Sequence, residues 1–326
     1  MYLALFKVEF TFSDEVLIDQ KNILHSLNIG LLFCRRLKQR ILFIVNPISG
    51  GKGKAGFPEL LQNNLDHARF ESTVWVWENG TDATARAELA VSEGYDAVAA
   101  VGGDGTVHAV ARALVHTSVA LVIIPMGSGN GLARYLKIPL NTKKAIQSIG
   151  NVEPRKMDMI SFNGLLYSNV AGVGFDAHIG ACFAKSTSRG LWGYVKSITQ
   201  ELFHYKSDTY SLNWENGTWS GKAFLISIAN GAQWGNNAWI APSASCFDGL
   251  MQVAILKPFS WYQVPGIALA LFRKTADKSS YFNQFSCSEL TLKREDHVVF
   301  HLDGEPLDGE ETVQLNVLAS AITLWH

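Results

Sequence analysis

Residues 96–106 have the sequence DAVAAVGGDGT, and this stretch decides the fold class. After Asp96 come five apolar residues, which is the length and composition of a short buried strand. The glycines that follow let the chain turn tightly and let backbone N–H groups approach an anion closely. Residues 107–115 then predict a helix. A strand that ends in a glycine loop and continues into a helix is typical of a parallel α/β sheet.

The same unit recurs on both sides of this stretch. Strands are predicted over 41–45, 73–77, 96–101 and 119–124, and helices over 57–65, 82–93 and 107–115. After residue 150 the pattern changes to hairpin signals, Asn163-Gly164 and Asn216-Gly217. Further strands are predicted over 224–228, 250–256, 290–292, 298–301 and 313–317. We predict an α/β N-terminal domain with a parallel sheet over 41–150, and a β-rich, mainly antiparallel C-terminal domain over 151–326.

Composition excludes several classes of protein. Lys and Arg number 28 against 29 Asp and Glu, so the net charge is −1. The chain therefore has no overall positive electrostatic field that would attract nucleic acid. No apolar run reaches the length of a transmembrane helix. The cysteines form no C-x-x-C pair, which indicates thiols in a reducing, cytoplasmic compartment. The histidines have no metal-ligand spacing, so we expect structural roles for them, His178, His204 and His301 included.

Residues 1–40 are predicted to be an N-terminal extension. An apolar patch over 31–33 precedes Arg35, Arg36, Lys38 and Arg40, whereas a signal peptide places its positive charge before its apolar run. An incidental extension and an amphipathic membrane anchor are both compatible with this order.

Three predicted strands end in loops of one chemical type. The loops are NPISGG over 46–51, GGDGT over 102–106 and PMGSGN over 125–130. Ligands of open parallel sheets bind beyond the carboxyl ends of the strands. Glycine backbones and the hydroxyls of Ser49, Thr106 and Ser128 are suited to phosphate oxygens. Asp104 is acidic, so it suits either Mg²⁺ coordination or proton transfer.

Two motifs for other nucleotide-binding folds are excluded. Residues 51–56, GKGKAG, match G-x-G-x-x-G, but Asn46-Pro47 occupies the turn where a dinucleotide fold requires glycine. Lys52 lacks the G-x-x-x-x-G-K-[ST] spacing of a Walker lysine. The phosphate site is therefore predicted from the three loops together.

The three loops, with their spacing, resemble those of the diacylglycerol kinase catalytic family, which includes bacterial lipid kinases, sphingosine kinases and ceramide kinases. The resemblance continues through NVAGVGFDA over 169–177, the segments ANG over 229–231, APSA over 241–244 and DGL over 248–250, and LDGEP over 302–306. It covers residue 41 to the C-terminus. It implies an NAD kinase/diacylglycerol kinase-like fold in which Mg-ATP binds in the cleft between the two domains and a lipid enters from the second domain.

The resemblance also implies roles for individual residues. Glu305 is placed as the base, with Asp303 beside it, and Asp104 competes for that role or serves the Mg²⁺ and phosphate network. Asp176 is placed either as a substrate-orienting residue or as a helix cap. The Mg²⁺ ligands are Asp248 with Ser245 and Leu250. The ATP-binding residues are Asn46, Pro47, Ser49, Gly50, Trp77, Gly102, Gly103, Asp104, Gly105, Thr106, Gly127, Ser128 and Asn130.

Two positions depart from the bacterial pattern of the family. His108 and Ala109 stand where bacterial members usually carry Asn and Glu, and a histidine here resembles the sphingosine and ceramide kinase branch. The acceptor stays open among diacylglycerol, a monoacyl or ether lipid, phosphatidylglycerol and a sphingoid base. A soluble-substrate kinase related to NAD kinases and a non-catalytic lipid or nucleotide sensor are the alternatives.

The expected partners are ATP and a lipid at a membrane surface, with a homodimer left open. Two apolar segments, 191–205 and 261–272, are candidates either for core packing or for peripheral contact with a membrane.

Overall fold

The computed structural model describes residues 38–51, 54–78, 82–185, 201–202, 204–294 and 298–326. The strands are β1 Gln39–Val45, β2 Phe70–Val76, β3 Ala97–Gly102, β4 Ala120–Pro125, β5 Arg155–Phe162, β6 Leu165–Tyr167, β7 Val170–Gly174, β8 Asp208–Trp214, β9 Gly217–Ala223, β10 Leu225–Ala229, β11 Met251–Leu256, β12 Phe282–Cys287, β13 Glu289–Lys293, β14 Val298–Leu302, β15 Glu305–Gly309 and β16 Thr312–Leu324. The helices are α1 Phe57–Asn64, α2 Ala83–Ser92, α3 Asp104–Ala113, α4 Gly131–Tyr135, α5 Thr142–Gln147, α6 Phe175–Lys185 and α7 Val264–Phe272. Short 3₁₀ turns lie at Ser49–Gly51, Trp261–Gln263 and Ala276–Lys278.

The larger sheet of the described residues contains the predicted parallel strands. Its order is β2-β1-β3-β4-β16-β13-β8-β9, with β5 beside β16 and β6 beside β5. β1, β3 and β4 run parallel, and β3 and β4 are buried along their whole length. Helices α2 and α3 cover one face and α1 and α5 the other, which explains why these strands are almost purely apolar.

The second half of the chain forms a sandwich. A sheet with the order β12-β11-β10-β7-β14-β15 is antiparallel in the registered pairs of its described strands. It packs against β5, β8, β13 and β16 through one apolar cluster, in which the rings of Phe162 and Phe300 meet edge to face at 4.7 Å. The α/β domain followed by a β-rich antiparallel domain confirms the predicted fold class.

The last strand is longer than predicted and joins the two halves. β16 was expected over 313–317, but it runs to Leu324 and pairs in parallel with β4 through Thr323 and Leu324. A register shift between Leu318 and Ile322 carries the strand past Ser320, whose φ is 55°. The buried Asp158 holds this bulge by accepting the Ser320 N–H at 2.6 Å. The domain boundary near residue 150 stays a prediction, because the sheet continues across it.

The two Asn-Gly signals in the sequence predicted two hairpins. Asn163 and Gly164, with φ values of 46° and 86°, join β5 to β6 in a two-residue hairpin. Asn216-Gly217 likewise marks the hairpin between β8 and β9. Both hairpin signals in the sequence therefore correspond to antiparallel pairs of the second half.

Some of the predicted segments lie outside the described residues. These are residues 1–37 of the predicted N-terminal extension and most of the apolar segment 191–205. The last two residues of the extension, Gln39 and Arg40, are the first two of β1. In the part of the chain that is described, no helix has both the length and the apolarity needed to cross a bilayer.

Candidate active site

The three glycine loops meet backbone against backbone at the carboxyl ends of β1, β3 and β4. A Cβ atom on Gly127 would lie 2.3 Å from the Cα of Gly103, and one on Gly50 would lie 2.3 Å from the carbonyl oxygen of Met126. Gly50 also has a φ of 68°, a conformation that L side chains rarely adopt. The loops are therefore glycine-rich because no side chain fits between them.

Replacing Gly127 with alanine tests this close approach. Overpacking of this kind is expected to lower the free energy of unfolding by about 1–3 kcal/mol, measured by urea denaturation. Gly180→Ala in α6 is the control, since a Cβ there meets nothing within 4 Å. We expect the control to leave stability unchanged or to raise it by up to about 1 kcal/mol. Equal destabilisation by both variants would contradict the packing of the loops.

The first loop is held by a buried lysine that the sequence did not single out. Lys54 Nζ donates to the carbonyl oxygens of Asn46 at 2.8 Å and Ser49 at 2.6 Å, and to Ser49 Oγ at 2.6 Å. Burial lowers the pKa of Lys54. Asn46 Nδ2 in turn donates to Thr106 Oγ1 at 3.1 Å, which joins the first loop to the second. In the sequence, Lys54 belongs only to the excluded glycine motif over 51–56.

Asn130 shapes the third loop. Its Oδ1 accepts the Gly127 N–H and its Nδ2 donates to the Gly127 carbonyl, both at 2.9 Å. Asn130 itself has a φ of 51°, a left-handed conformation that asparagine tolerates better than most residues. Arg134 Nε donates to the Gly129 carbonyl at 2.9 Å. The predicted nucleotide residue Asn130 thus fixes the loop from within.

Asp104 lies at the centre of the three loops. It is the first residue of α3, directly after Gly103, and a Cβ on Gly129 would lie 3.1 Å from Asp104 Oδ2. Burial and the nearby charge of Asp303 raise its pKa to about 6, although backbone N–H groups of α4, at Gly131 and Leu132, oppose the shift. A half-buried carboxylate with a raised pKa in a cleft is typical of functional sites.

Asp303 accepts hydrogen bonds on both carboxylate oxygens. Oδ2 takes the Ser168 N–H and Oγ–H, and Oδ1 takes the N–H groups of Asn169 and Val170, at 2.8–3.0 Å. His108 Nδ1 lies 2.9 Å from Oδ2, and both side chains are almost fully buried. Burial alone would raise the pKa of Asp303, but the His108 bond and charge and the backbone donors hold it below its ordinary value. These contacts occupy both carboxylate oxygens of Asp303 and anchor its side chain, and its catalytic role beside Glu305 stays a prediction.

His108 is the other half of this anchor. Burial lowers its pKa, but the hydrogen bond and charge of Asp303 and the charge of Glu305 outweigh burial and raise it above the ordinary value. His108 belongs to α3 of the α/β half, whereas Asp303 belongs to the turn between β14 and β15. The pair therefore ties the two halves of the chain together at the site.

Glu305 approaches the loops from the opposite sheet. Asp303 and Gly304, with φ values of 50° and 88°, form the tight turn that places Glu305 at the start of β15. Its Oε1 would lie 3.0 Å from a Cβ on Gly105, so the carboxylate lies over the second loop while its side chain is exposed. The structure thus places Glu305 over Gly105, the residue that follows Asp104, so two of the predicted catalytic residues lie at the second loop.

Asp176 is buried in a second histidine–aspartate pair. Its Oδ2 accepts Ser227 Oγ–H at 3.0 Å and lies 3.2 Å from His301 Nε2, and its Oδ1 accepts the Ala177 N–H. The Gly304 N–H donates to His301 Nδ1 at 3.3 Å, which leaves His301 Nε2 as the nitrogen that donates to Asp176. Asp176 is therefore connected through His301 to the turn that carries Glu305. The structural role expected for His301 is to link Asp176 to this turn.

The predicted metal ligands lie in the turn before β11. Asp248 is exposed, and its Oδ1 accepts the Leu250 N–H at 3.1 Å. A single exposed carboxylate suits Mg²⁺, which usually keeps several of its own waters, and the metal roles of Asp248, Ser245 and Leu250 stay a prediction. Among the described residues, the group of three metal-binding side chains that lies together is elsewhere, at His178, Cys182 and Glu201. The 2.9 Å hydrogen bond between His178 and Glu201 and the 3.7 Å contact of Cys182 Sγ with His178 Nε2 account for that closeness.

Trp77 lies where the resemblance places a nucleotide contact, just past β2. Its backbone N–H donates to the Val45 carbonyl at 2.8 Å, and its partly buried ring packs on the α/β core. It is thus at the same sheet edge as the three loops, and its contact with a nucleotide stays a prediction.

Comparison with known proteins identifies the family. Residues 40–162 match the diacylglycerol kinase catalytic domain, and residues 169–326 match the YegS C-terminal NAD kinase beta sandwich-like domain. A probable lipid kinase YegS-like of Pseudomonas syringae pv. syringae is 31% identical over 72% of this chain and 77% of its own. The chain belongs to the diacylglycerol kinase catalytic-domain family. The predicted family and the prediction of a kinase are thereby confirmed.

Other relatives extend the match over most of the chain. A probable lipid kinase YegS-like of Yersinia pestis is 31% identical over 84% of this chain and 94% of its own. A solved diacylglycerol kinase structure from Bacillus anthracis str. Sterne superposes with a TM-score of 0.69 over 88% of this chain and 96% of its own, at 20% identity. The structural likeness supports the kinase-family fold.

Proposed function

We propose that this family member transfers the γ-phosphoryl group of Mg-ATP to a hydroxyl group of a lipid. The observation that carries the proposal is the meeting of three glycine loops with two carboxylates from opposite sheets, Asp104 and Glu305. The printed names of the relatives, probable lipid kinases, support the same reaction class. Phosphoryl transfer requires mainly positioning and neutralisation of charge, and the loops are suited to both.

The loops would bind the phosphates. Backbone N–H groups of residues 103–105 and of Ser128 can approach phosphate oxygens because glycines surround them. The N-terminus of α3 begins at Asp104 and adds a favourable dipole for an anion. Ser49, Thr106 and Ser128 contribute hydroxyls. Bound Mg²⁺, for which Asp248, Ser245 and Leu250 are the predicted ligands, would supply positive charge to the site, and ionised Asp104 at the start of α3 would face the bound Mg-ATP.

Glu305 would accept the proton of the lipid hydroxyl. As the hydroxyl oxygen forms its bond to the γ-phosphorus, its proton passes to a Glu305 carboxylate oxygen, the bond from the γ-phosphorus to the bridging oxygen breaks, and ADP leaves. The His108–Asp303 pair and the Asp176–His301 pair hold the turn that carries Glu305. We assign Asp303 and His301 to positioning in this scheme.

Activity is expected to fall in mild acid. Because the pKa of Asp104 is raised to about 6, the carboxylate that faces Mg-ATP becomes protonated as the pH falls through that value. We expect kcat/KM for ATP to decrease about tenfold per pH unit below the midpoint. A pH profile of kcat/KM measures this, and a profile flat down to pH ~4.5 would contradict the role of ionised Asp104.

A phosphate-transfer assay tests the proposed function. Labelled Mg-ATP is incubated with mixed micelles that contain diacylglycerol, a monoacyl lipid, phosphatidylglycerol or a sphingoid base, and separately with NAD. The proposal predicts labelled product with one lipid class, and loss of that product in Asp104→Asn. Product from NAD alone would instead establish a soluble-substrate kinase, and nucleotide binding without any product would indicate a sensor.

A further inference from the structure

Helix α7 and the 3₁₀ turn before it display an apolar surface, here called the docking face, formed by Trp261, Tyr262, Leu269 and Phe272. Their exposed fractions are 74%, 66%, 49% and 55%. The sequence from 261 to 272 carries no charge, and helices that are apolar all round are normally buried. Yet α7 buries only Ile267 and Ala270 fully. Core packing is one of the two roles predicted for this segment. It does not account for the exposed apolar side chains of α7 and of the turn before it.

The docking face is held in place by specific contacts. Ser260 and Gln263 form a capping box, in which the Ser260 N–H donates to Gln263 Oε1 at 2.7 Å. The backbone N–H of Trp239 donates to the Leu271 carbonyl of α7 at 3.1 Å. Leu269 and Phe272 are three residues apart and so share one side of the helix. The exposure is thus a fixed feature of the folded chain.

Positively charged residues flank the docking face in the sequence. Residues 257–280 contain four cations, Lys257, Arg273, Lys274 and Lys278, and one acid, Asp277, which gives a net charge of +3 in a chain of net charge −1. Arg273, Lys274 and Lys278 are exposed, directly after α7. Lys274 Nζ also lies 3.9 Å from the centre of the Trp239 ring. Charge and apolar surface coincide, as they do where proteins meet anionic lipid headgroups.

We propose that the docking face binds the surface of an anionic lipid bilayer. The purpose of this binding, access to a lipid substrate, rests on the proposed function. Trp and Tyr side chains favour the headgroup level, and Lys and Arg pair with lipid phosphates. The nine residues of α7 span about 13 Å, too short to cross a bilayer, so the helix lies in the interface. The exposed side chains offer roughly 500 Å². A stable dimer buries about 800 Å² per partner, which disfavours a second copy as the occupant.

The docking face is continuous with the interior near the site. Ile267 and Leu271 pack in one apolar cluster with Phe175, which precedes Asp176 in α6. A bilayer seated on α7 would therefore lie against the apolar cluster that includes Phe175, the chain neighbour of Asp176. This places the lipid source beside the half of the chain from which the acceptor is expected to enter.

Vesicle binding of the full chain tests the proposal without requiring turnover. The double variant Trp261→Gln/Phe272→Gln is compared with wild type in co-sedimentation with phosphatidylcholine vesicles that do or do not contain phosphatidylglycerol. We expect wild type to bind the anionic vesicles, and the variant to bind them about tenfold more weakly. The control Leu89→Gln/Val152→Gln removes two apolar side chains of 50% and 58% exposure elsewhere and is expected to bind like wild type.

The outcomes separate this proposal from the kinase proposal. Circular dichroism confirms that the variants are folded, and phosphorylation of a short-chain, water-soluble lipid is expected to be unchanged in Trp261→Gln/Phe272→Gln. Vesicle binding lost only in that variant supports the docking face even where no lipid is phosphorylated. Equal vesicle binding by variant and wild type overturns it, and so does a wild-type dimer that the variant disrupts without any change in vesicle binding.

Discussion

The Glu305→Gln variant is expected to retain the fold and to lose about 10²–10⁴-fold in kcat, because glutamine cannot accept the proton of the lipid hydroxyl. Glu305 is exposed at the start of β15, with its carboxylate over Gly105. Its replacement leaves the hydrogen bonds of the buried network beneath it intact, so the expected change in unfolding free energy is within about 0.5 kcal/mol.

Steady-state kinetics with the lipid acceptor found in the transfer assay measure the Glu305 effect. The KM for ATP is expected to stay near the wild-type value, since Glu305 acts on the acceptor. Glu310→Gln, which changes another exposed acid near the end of the same hairpin, is the matched control and should retain full activity. A kcat of Glu305→Gln within about threefold of wild type would transfer the role of base to Asp104.

Asp303→Ala is expected to lower the free energy of unfolding by about 3–5 kcal/mol, the range found when one partner of a buried ion pair is removed. The substitution strands the buried His108 ring and leaves the N–H groups of Ser168, Asn169 and Val170 without their acceptor. The turn that carries Glu305 would lose its anchor at the same time.

Urea denaturation at pH 7 measures the effect of Asp303→Ala. Asp277→Ala removes an exposed carboxylate elsewhere in the chain and is expected to change stability by less than about 0.5 kcal/mol. A double-mutant cycle with His108→Ala should show coupling of about 0.5–3 kcal/mol between the two side chains. Additive effects of the two substitutions would show that the pair does not act as the anchor described above.

The pH dependence of this anchor follows from its two shifted pKa values. The raised pKa of His108 means that its stabilising contribution is present in acid and is lost as the pH rises through the folded-state value. The lowered pKa of Asp303 means that its contribution is present above the ordinary aspartate pKa and is lost as the pH falls below it. The pair therefore contributes most between these limits, in mildly acidic solution.

Local sequence patterns predicted the parallel strands, the glycine loops and the hairpin turns, because each depends on residues close together in the chain. Asp104 was found because it is an acid within a glycine loop. The His108–Asp303 and Asp176–His301 pairs were not found, since their partners lie 195 and 125 residues apart and no spacing reveals them. The resemblance to the family predicted Glu305 and Asp176 from their positions in the sequence. The contacts that these two residues make could be seen only in the folded structure.

Two other features needed the structure for the same reason. Lys54 has no motif of its own, and its role appears only where the first loop folds back onto it. The length of β16 was underestimated because the bulge at Ser320 interrupts its alternation of apolar and polar residues. The exposure of Trp261 and Phe272 could not be predicted either, since an apolar run in a sequence does not say whether anything covers it.

A crystal structure of the full chain with Mg²⁺ and a non-hydrolysable ATP analogue tests the central claim most directly. We expect the phosphates to accept hydrogen bonds from the backbone of residues 103–105 and Ser128, with the γ-phosphorus between Asp104 and Glu305. A nucleotide bound away from the three loops, or a γ-phosphate turned away from Glu305, would contradict the proposed site and its mechanism.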